Sequence, residues 1–178
     1  MKWGLAMLLN WTEFEYEHLR FYIVASEEGI CYIGSPNAQF EEVEAWAHKA
    51  LPNANLVENN VVLADYEKAL KEYFLGTRRR FDLPLHLVGT DFQQKVWKEL
   101  QLLSYGEVVS YSAIAERIGK RSAVRAIGSA IGANPVMIFV PCHRVIGKNG
   151  KLTGFRGGLE LKEYLLALEK KEETTASQ

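Results

Sequence analysis

The sequence predicts an α+β protein, with a small antiparallel sheet and helices in the N-terminal half and a mostly helical C-terminal half built around a helix-turn-helix. Three observations carry this expectation. Strand and helix patterns are mixed before residue 76, whereas short helical patterns follow one another after residue 90. Between them, TRRRFDLPLHLVG contains Pro84 and Gly89 and no helical period, which marks an extended connection. Charge changes across the same boundary: residues 1–89 carry 8 basic against 13 acidic side chains, and residues 90–178 carry 13 against 9. The expected division is a supporting domain at 1–76, a linker at 77–89 and a functional domain at 90–178.

In the first part, residues 4–9, 19–25 and 30–34 are rich in Leu, Ile, Val and Tyr and read as strands, with Glu28 and Gly29 turning between the last two. These are expected to pair as an antiparallel sheet. Residues 39–51 place Phe40, Val43, Trp46 and Ala47 on one helical face, and residues 61–74 do the same with Val62, Tyr66, Ala69, Leu70 and Phe74. Gly76 stops the second helix. Arg78, Arg79 and Arg80 read as solvated side chains in the connection.

In the second part, Thr90 to Gln93 form a capping box, and the helix they open buries Phe92, Val96, Trp97, Leu100 and Leu103. Residues 111–118 and 122–131 form two shorter helices, separated by Gly119, Lys120 and Arg121, a turn of the length a helix-turn-helix uses. The second of these helices carries small side chains at Ala123, Ala126, Gly128, Ser129 and Ala130. They allow close approach to a surface while offering few groups to read base edges, or they let two helices pack tightly. Asn134 and Pro135 end that helix, residues 136–140 run through the interior, and a last helix spans 159–171.

Composition bounds the function classes. With 48% hydrophobic and 24% charged residues, a chain of 178 residues can bury a sizeable core. No apolar run approaches the roughly 20 residues of a membrane span, and MKWGLAMLLN, broken by Gly4, lacks a cleavage site. A cytoplasmic protein is expected, with Cys31 and Cys142 as thiols.

Chemistry concentrates at Pro141, Cys142, His143 and Arg144. A cysteine beside a histidine suits a thiolate nucleophile with its base, although most free cysteines are small buried hydrophobes. Residues 117–156 carry eight Lys or Arg and no Asp or Glu, which points to a polyanionic substrate, most simply nucleic acid. A buried thiol has a raised pKa, so Cys142 needs a base, and His143 is the candidate. If the segment is extended, neighbouring side chains point opposite ways, so direct contact is not guaranteed and a water can bridge them. A carboxylate must orient the imidazole, and Glu160, Glu163 and Glu169 on the last helix are the candidates.

The strings GEVVSYSAIA, AVRAIGSAIGANP, IFVPCHRVIG and GKLTGFRGGLELKEYLLALE together resemble the methylated-DNA–protein-cysteine methyltransferases, or O6-alkylguanine-DNA alkyltransferases, densely from about Thr90 to Glu169. The resemblance implies a ribonuclease-H-like N-terminal domain, a winged helix-turn-helix-like C-terminal domain, and a monomer that repairs duplex DNA without a cofactor. It implies that Cys142 accepts the alkyl group irreversibly, that His143 acts as base through a water, and that Glu169 holds the imidazole. Asn134 matches the residue bracing the active-site turn. Tyr111 matches the proton donor to N3 of the departing guanine. Arg125 matches the finger that fills the space left by a flipped base, on a helix that enters the minor groove with Ala123, Ala126, Gly128 and Ser129. Lys120 and Arg121 are candidates for DNA contact, and Arg144 for phosphate contact or local structure. Val145, Phe155, Arg156 and Gly157 are expected around the guanine pocket. Phe155 and Arg156 depart from relatives with tyrosine and a small residue, and Arg156 is expected to narrow the entrance against bulky alkyl groups. Cys31, His18, His48 and His86 form no recognisable zinc set, so no metal is expected.

Overall fold

The computed structural model describes residues 6–176, with side chains through Lys171. Strand β1, Leu8–Tyr16, faces Thr12, Phe14 and Tyr16 inward and Glu13 and Glu15 outward, the period-two pattern of a half-buried strand. It pairs antiparallel with β2, Leu19–Ser26, which pairs antiparallel with β3, Gly29–Ile33. A fourth strand, β4, Asn55–Glu58, lies parallel to the start of β1, giving the order β3-β2-β1-β4.

Two sequence expectations are corrected here. Gly4 and Leu5 of the expected first strand lie outside the described residues, and the strand runs from Leu8 to Tyr16. The apolar stretch at its start looked stronger than the alternation that defines it. The sheet is mixed rather than wholly antiparallel, because β4 is a short edge strand with only one neighbour and almost no buried residue, and so lacks an apolar signature.

Helix α1, Glu41–Ala50, packs Val43 and Ala47 with Leu9, Val24, Cys31 and Tyr32 on one side of the sheet. Helix α2, Asn60–Phe74, crosses the other side, with Leu63, Tyr66, Leu70, Tyr73 and Phe74 buried at helical spacing. Residues 77–89 are not a free linker. Ile30 donates to the Pro84 carbonyl at 3.1 Å, His86 donates to the Ile30 carbonyl at 2.9 Å, and the Tyr66 hydroxyl reaches Pro84 at 2.7 Å. Gly29, at φ 142°, admits this strand-like contact, since a Cβ there would stand 2.4 Å from the Pro84 oxygen.

The C-terminal half opens with α3, Asp91–Gln101, whose Thr90–Gln93 capping box is formed as expected. Next come α4, Tyr111–Arg117, capped by Ser110, and α5, Val124–Gly132, entered through a 3₁₀ turn at Arg121–Ala123. Two-residue strands β5, Val109–Ser110, and β6, Val145–Ile146, pair in parallel, and α6, Leu159–Ala176, closes the fold.

One apolar core runs through both halves, from Phe14 and Phe21 on the sheet through Leu70 and Tyr73 on α2 to Trp97, Ile127, Val140 and Leu165. Each large aliphatic side chain so buried contributes about 1.5–3 kcal/mol. The shared core fixes the sheet side of the molecule against the turn that carries Cys142. No helix among the described residues is long and apolar enough to cross a membrane.

Candidate active site

Asn134 and Pro135 follow α5, and residues 136–140 are all buried. The chain there is bent, with Val140 donating to the Val136 carbonyl at 3.0 Å and Ile138 at φ 76°. A β-branched residue in the left-handed region is strained and persists only where its surroundings hold it. Cys142–Arg144 is a 3₁₀ turn, so the extended geometry considered from the sequence does not apply. Cys142 donates backward to Val140, and Arg144 to Pro141, which curls the segment.

The Cys142 sulfur lies 3.1 Å from Asn134 Nδ2, which also donates to the Val140 carbonyl at 2.9 Å. Asn134 Oδ1 accepts from Val136 at 3.0 Å. One buried amide therefore braces the whole turn. Burial pushes the Cys142 thiol upward, against the Asn134 hydrogen bond and the positive charges of Arg156 and Lys162. At neutral pH the group is a thiol, which must lose its proton during any attack.

His143 is wholly buried, with Nε2 2.7 Å from Glu169 Oε1. Burial holds the imidazole below its ordinary pKa despite the nearby carboxylate. Of the three candidate carboxylates, Glu169 is 1% exposed and is the one that meets His143, while Glu160 and Glu163 are exposed. Burial alone would raise its pKa, but His143 and Arg144 outweigh that and hold the carboxyl well below the usual range. A carboxylate next to Nε2 makes that nitrogen the N–H donor. Nδ1 then carries the lone pair, and it meets no hydrogen-bond partner among the described residues.

The cavity beside Cys142 is lined by Ile131, Asn134, Met137, Gly154, Phe155 and Arg156 and measures ≈ 10 Å³, about the room for one water. Gly157 is buried behind Phe155, whose ring a Cβ would approach to 2.7 Å. Val145 is not among the lining residues: it packs in the core and pairs with Val109. Arg156 lines the cavity, and its guanidinium is tied into the fold. Nη2 donates to the carbonyls of Ile33, Asn134 and Pro135 at 2.7, 3.2 and 3.2 Å, and the group lies over Tyr32 beside Glu42. Three converging carbonyls at the end of β3 hold the guanidinium there, with its positive charge still felt at Cys142.

Outside the cavity, Arg125, Ala126 and Ser129 are exposed along α5, and Ala123 and Gly128 are half-buried. With Tyr111, Ser112, Val124 and Lys148, the Arg125, Gly128 and Ser129 positions shape an open depression of ≈ 700 Å³. Tyr111 lies along Gly128, and its hydroxyl is 3.3 Å from the Thr153 carbonyl. Lys120 is exposed, and Arg121 is exposed but ion-paired with Glu116. No group of three metal-ligating side chains occurs among the described residues.

The family described as "6-O-methylguanine DNA methyltransferase, ribonuclease-like domain" matches residues 14–87, and "6-O-methylguanine DNA methyltransferase, DNA binding domain" matches residues 91–171. The chain belongs to the methylated-DNA–protein-cysteine methyltransferase family. It is 47% identical over 169 residues to the inducible methylated-DNA–protein-cysteine methyltransferase of Bacillus subtilis, covering 95% of this chain and 90% of that one. A Methanosarcina acetivorans methyltransferase is 41% identical over 149 residues, 83% of this chain and 89% of the relative. Among solved structures, Mycobacterium tuberculosis O6-methylguanine methyltransferase superposes with TM-score 0.79 at 36% identity, covering 92% of this chain and 94% of that chain. The same protein in complex with DNA gives TM-score 0.76 at 35% identity, over 93% and 94%.

Within this methyltransferase fold, three side chains have places that the sequence did not disclose. Arg144 is not free to meet phosphate: it is buried, grips Glu169 through Nε and Nη2 at 2.9 Å each, and donates to the Leu103 carbonyl at 2.7 Å. Tyr73 donates its hydroxyl to Glu169 Oε1 at 2.7 Å. Lys162 is fully buried and donates to the carbonyls of Val145 and Thr153 at 2.6 and 2.9 Å, tying the 153–157 loop to β6. Lys162 and Glu169 are seven residues apart on α6 and so share a helical face, the one sequence signal that marks them as a pair of inward charges.

Proposed function

We propose that the chain repairs duplex DNA by moving the alkyl group of an O6-alkylguanine, once and irreversibly, onto Cys142. The observation that carries this reading is the buried set of Asn134, Cys142, His143 and Glu169 beside the small-residue face of α5. DNA is the partner, met by α5 in the minor groove, where Ala123, Ala126, Gly128 and Ser129 suit a shallow, sequence-tolerant contact. Lys120 adds charge at its edge, and Arg121 does so on leaving Glu116.

A base inside the duplex is out of reach of a buried thiol, so the lesion must rotate out of the stack, at a cost of a few kcal/mol. Arg125 stands exposed where it can occupy the vacated space. A cavity of ≈ 10 Å³ cannot hold guanine, so the 153–157 loop shifts to admit it, with Phe155 and Gly157 forming the moving wall. His143 Nδ1 takes the Cys142 proton through a water, and the sulfur attacks the alkyl carbon. The C–S bond forms as the C–O6 bond breaks, and the electron pair goes to O6. Tyr111 supplies a proton to N3, so guanine leaves neutral. A thioether offers no route back, which makes the protein a single-use reagent acting as a monomer.

The decisive test is intact mass after mixing the protein with excess duplex DNA containing one O6-methylguanine. One added methyl, mapped to Cys142 and absent from Cys142→Ala, is the expected result. Tight lesion binding without added mass would reduce the protein to a sensor.

Methylation should also weaken the fold. A methyl group added beside a cavity with room for one water overpacks it, at about 1–3 kcal/mol. Thermal melting before and after reaction should show a lower midpoint for the alkylated form, and equal midpoints would mean that the loop absorbs the added bulk.

A further inference from the structure

We infer that Tyr73, on α2 in the N-terminal half, is a positioning residue for the His143–Glu169 pair, and that through it the ribonuclease-like half tunes the base. This rests on the alkyl-transfer reading above. Tyr73 is fully buried, and its ring packs among Phe74, Phe81 and Tyr105. Phenylalanine would fill that space as well. The hydroxyl instead reaches Glu169 Oε1 at 2.7 Å, the same oxygen that His143 Nε2 meets at 2.7 Å, and stands 3.3 Å from Nε2 itself.

Sharing an acceptor has a definite consequence. Each donor to a carboxylate oxygen withdraws charge from it and lowers its pull on the others. Tyr73 therefore moderates how strongly Glu169 raises the basicity of His143, and with Nε2 it fixes the oxygen against which the ring is oriented. The charged and titratable groups around the hydroxyl are Glu169 from α6, His143 and Arg144 from the active-site turn, and Tyr105 from the segment after α3, whose ring also carries Arg79. Arg144 keeps the carboxylate ionised whether or not the phenol is present. Burial first, then Glu169, holds the phenol well above its ordinary pKa, so it remains a donor across the working range.

The inference also gives the N-terminal half a part in the chemistry. Glu169 accepts Tyr73 from α2, Arg144 and His143 from the turn, and the Gly106 backbone from the segment after α3. Displacing α2 would alter the base without touching the thiol.

The test is an NMR titration of the His143 ring nitrogens in the wild-type protein, Tyr73→Phe and Tyr66→Phe. Tyr66 lies two turns earlier on the same helix, and its hydroxyl donates to the Pro84 carbonyl, away from Glu169, so its variant reports simple loss of a buried hydroxyl. Tyr73→Phe should raise the His143 pKa by about half a unit or more, and Tyr66→Phe should leave it in place. In parallel, single-turnover methyl transfer by Tyr73→Phe should slow on the order of tenfold, with the acid limb of its pH profile moved to higher pH. An unmoved His143 titration in Tyr73→Phe, or an equal shift in Tyr66→Phe, overturns the inference. If Tyr73→Phe does not fold, 3-fluorotyrosine at position 73 keeps the shape and strengthens the donor. It should lower the His143 pKa, and no change would overturn the inference equally. Failure of the wild-type protein to take up methyl would overturn the alkyl-transfer reading, while the titration would still decide the role of Tyr73.

Discussion

Glu169→Leu is expected to lower stability by about 3–5 kcal/mol, the usual cost of leaving one partner of a buried ion pair uncompensated. The carboxylate accepts from His143, Tyr73, Gly106 and, twice over, Arg144. Removing it strands the Arg144 guanidinium in the core with the Leu103 carbonyl and the Tyr105 ring but no ion-paired counter-charge among the described residues. Urea denaturation should show a lower midpoint with an unchanged slope; a midpoint equal to that of the wild type would mean that Arg144 reaches solvent in the variant. The same group makes stability depend on acid. Its folded pKa lies below its ordinary 4.5, so its contribution is fully present above that value and is lost as pH falls through the folded pKa. Below about pH 4.5, wild-type stability should fall more steeply than that of Glu169→Leu.

The sequence disclosed the parts of this protein that depend on local pattern. The capping box at Thr90, the helices of the C-terminal half and most of the core face of α2 follow from spacing alone, and the structure contains them, although Val62, placed on that face, is exposed and Leu63 is buried instead. Pairing was harder to read. Edge strand β4 pairs on one side only, and residues 77–89 are held to β3 by backbone hydrogen bonds that side-chain pattern does not record. In the site, Cys142 and His143 could be picked out as a thiol beside a base in one short segment, whereas Asn134 is marked only by the family resemblance. Tyr73 could not, because a tyrosine on an apolar helical face looks like core until its hydroxyl is seen against Glu169. Arg144 is open to two readings, phosphate contact or local structure, and only its burial against Glu169 decides for the second, because sequence does not record which way a basic side chain turns.

His143→Gln should slow methyl transfer by about 10²–10⁴-fold at neutral pH, the usual contribution of a positioned base, while one methyl per protein is still taken up at long times. The argument rests on two shifts of opposite sign. Burial keeps the Cys142 proton on the sulfur above the ordinary thiol range and keeps His143 neutral below the ordinary imidazole range. The resting pair is therefore a neutral thiol and a neutral imidazole, not a thiolate and imidazolium waiting to react. Wild-type transfer should stay level through neutral pH and fall only where His143 becomes protonated, below its ordinary 6.5. Without the imidazole, the thiol must ionise without a protein base. The His143→Gln rate should then climb steadily with pH toward the raised Cys142 pKa, while the wild-type rate changes little, so the gap between them narrows in alkali. Rapid-quench measurement of the single-turnover rate from pH 5 to about pH 10 reads both curves. Parallel profiles at every pH would show that His143 sets the shape of the site without accepting the proton.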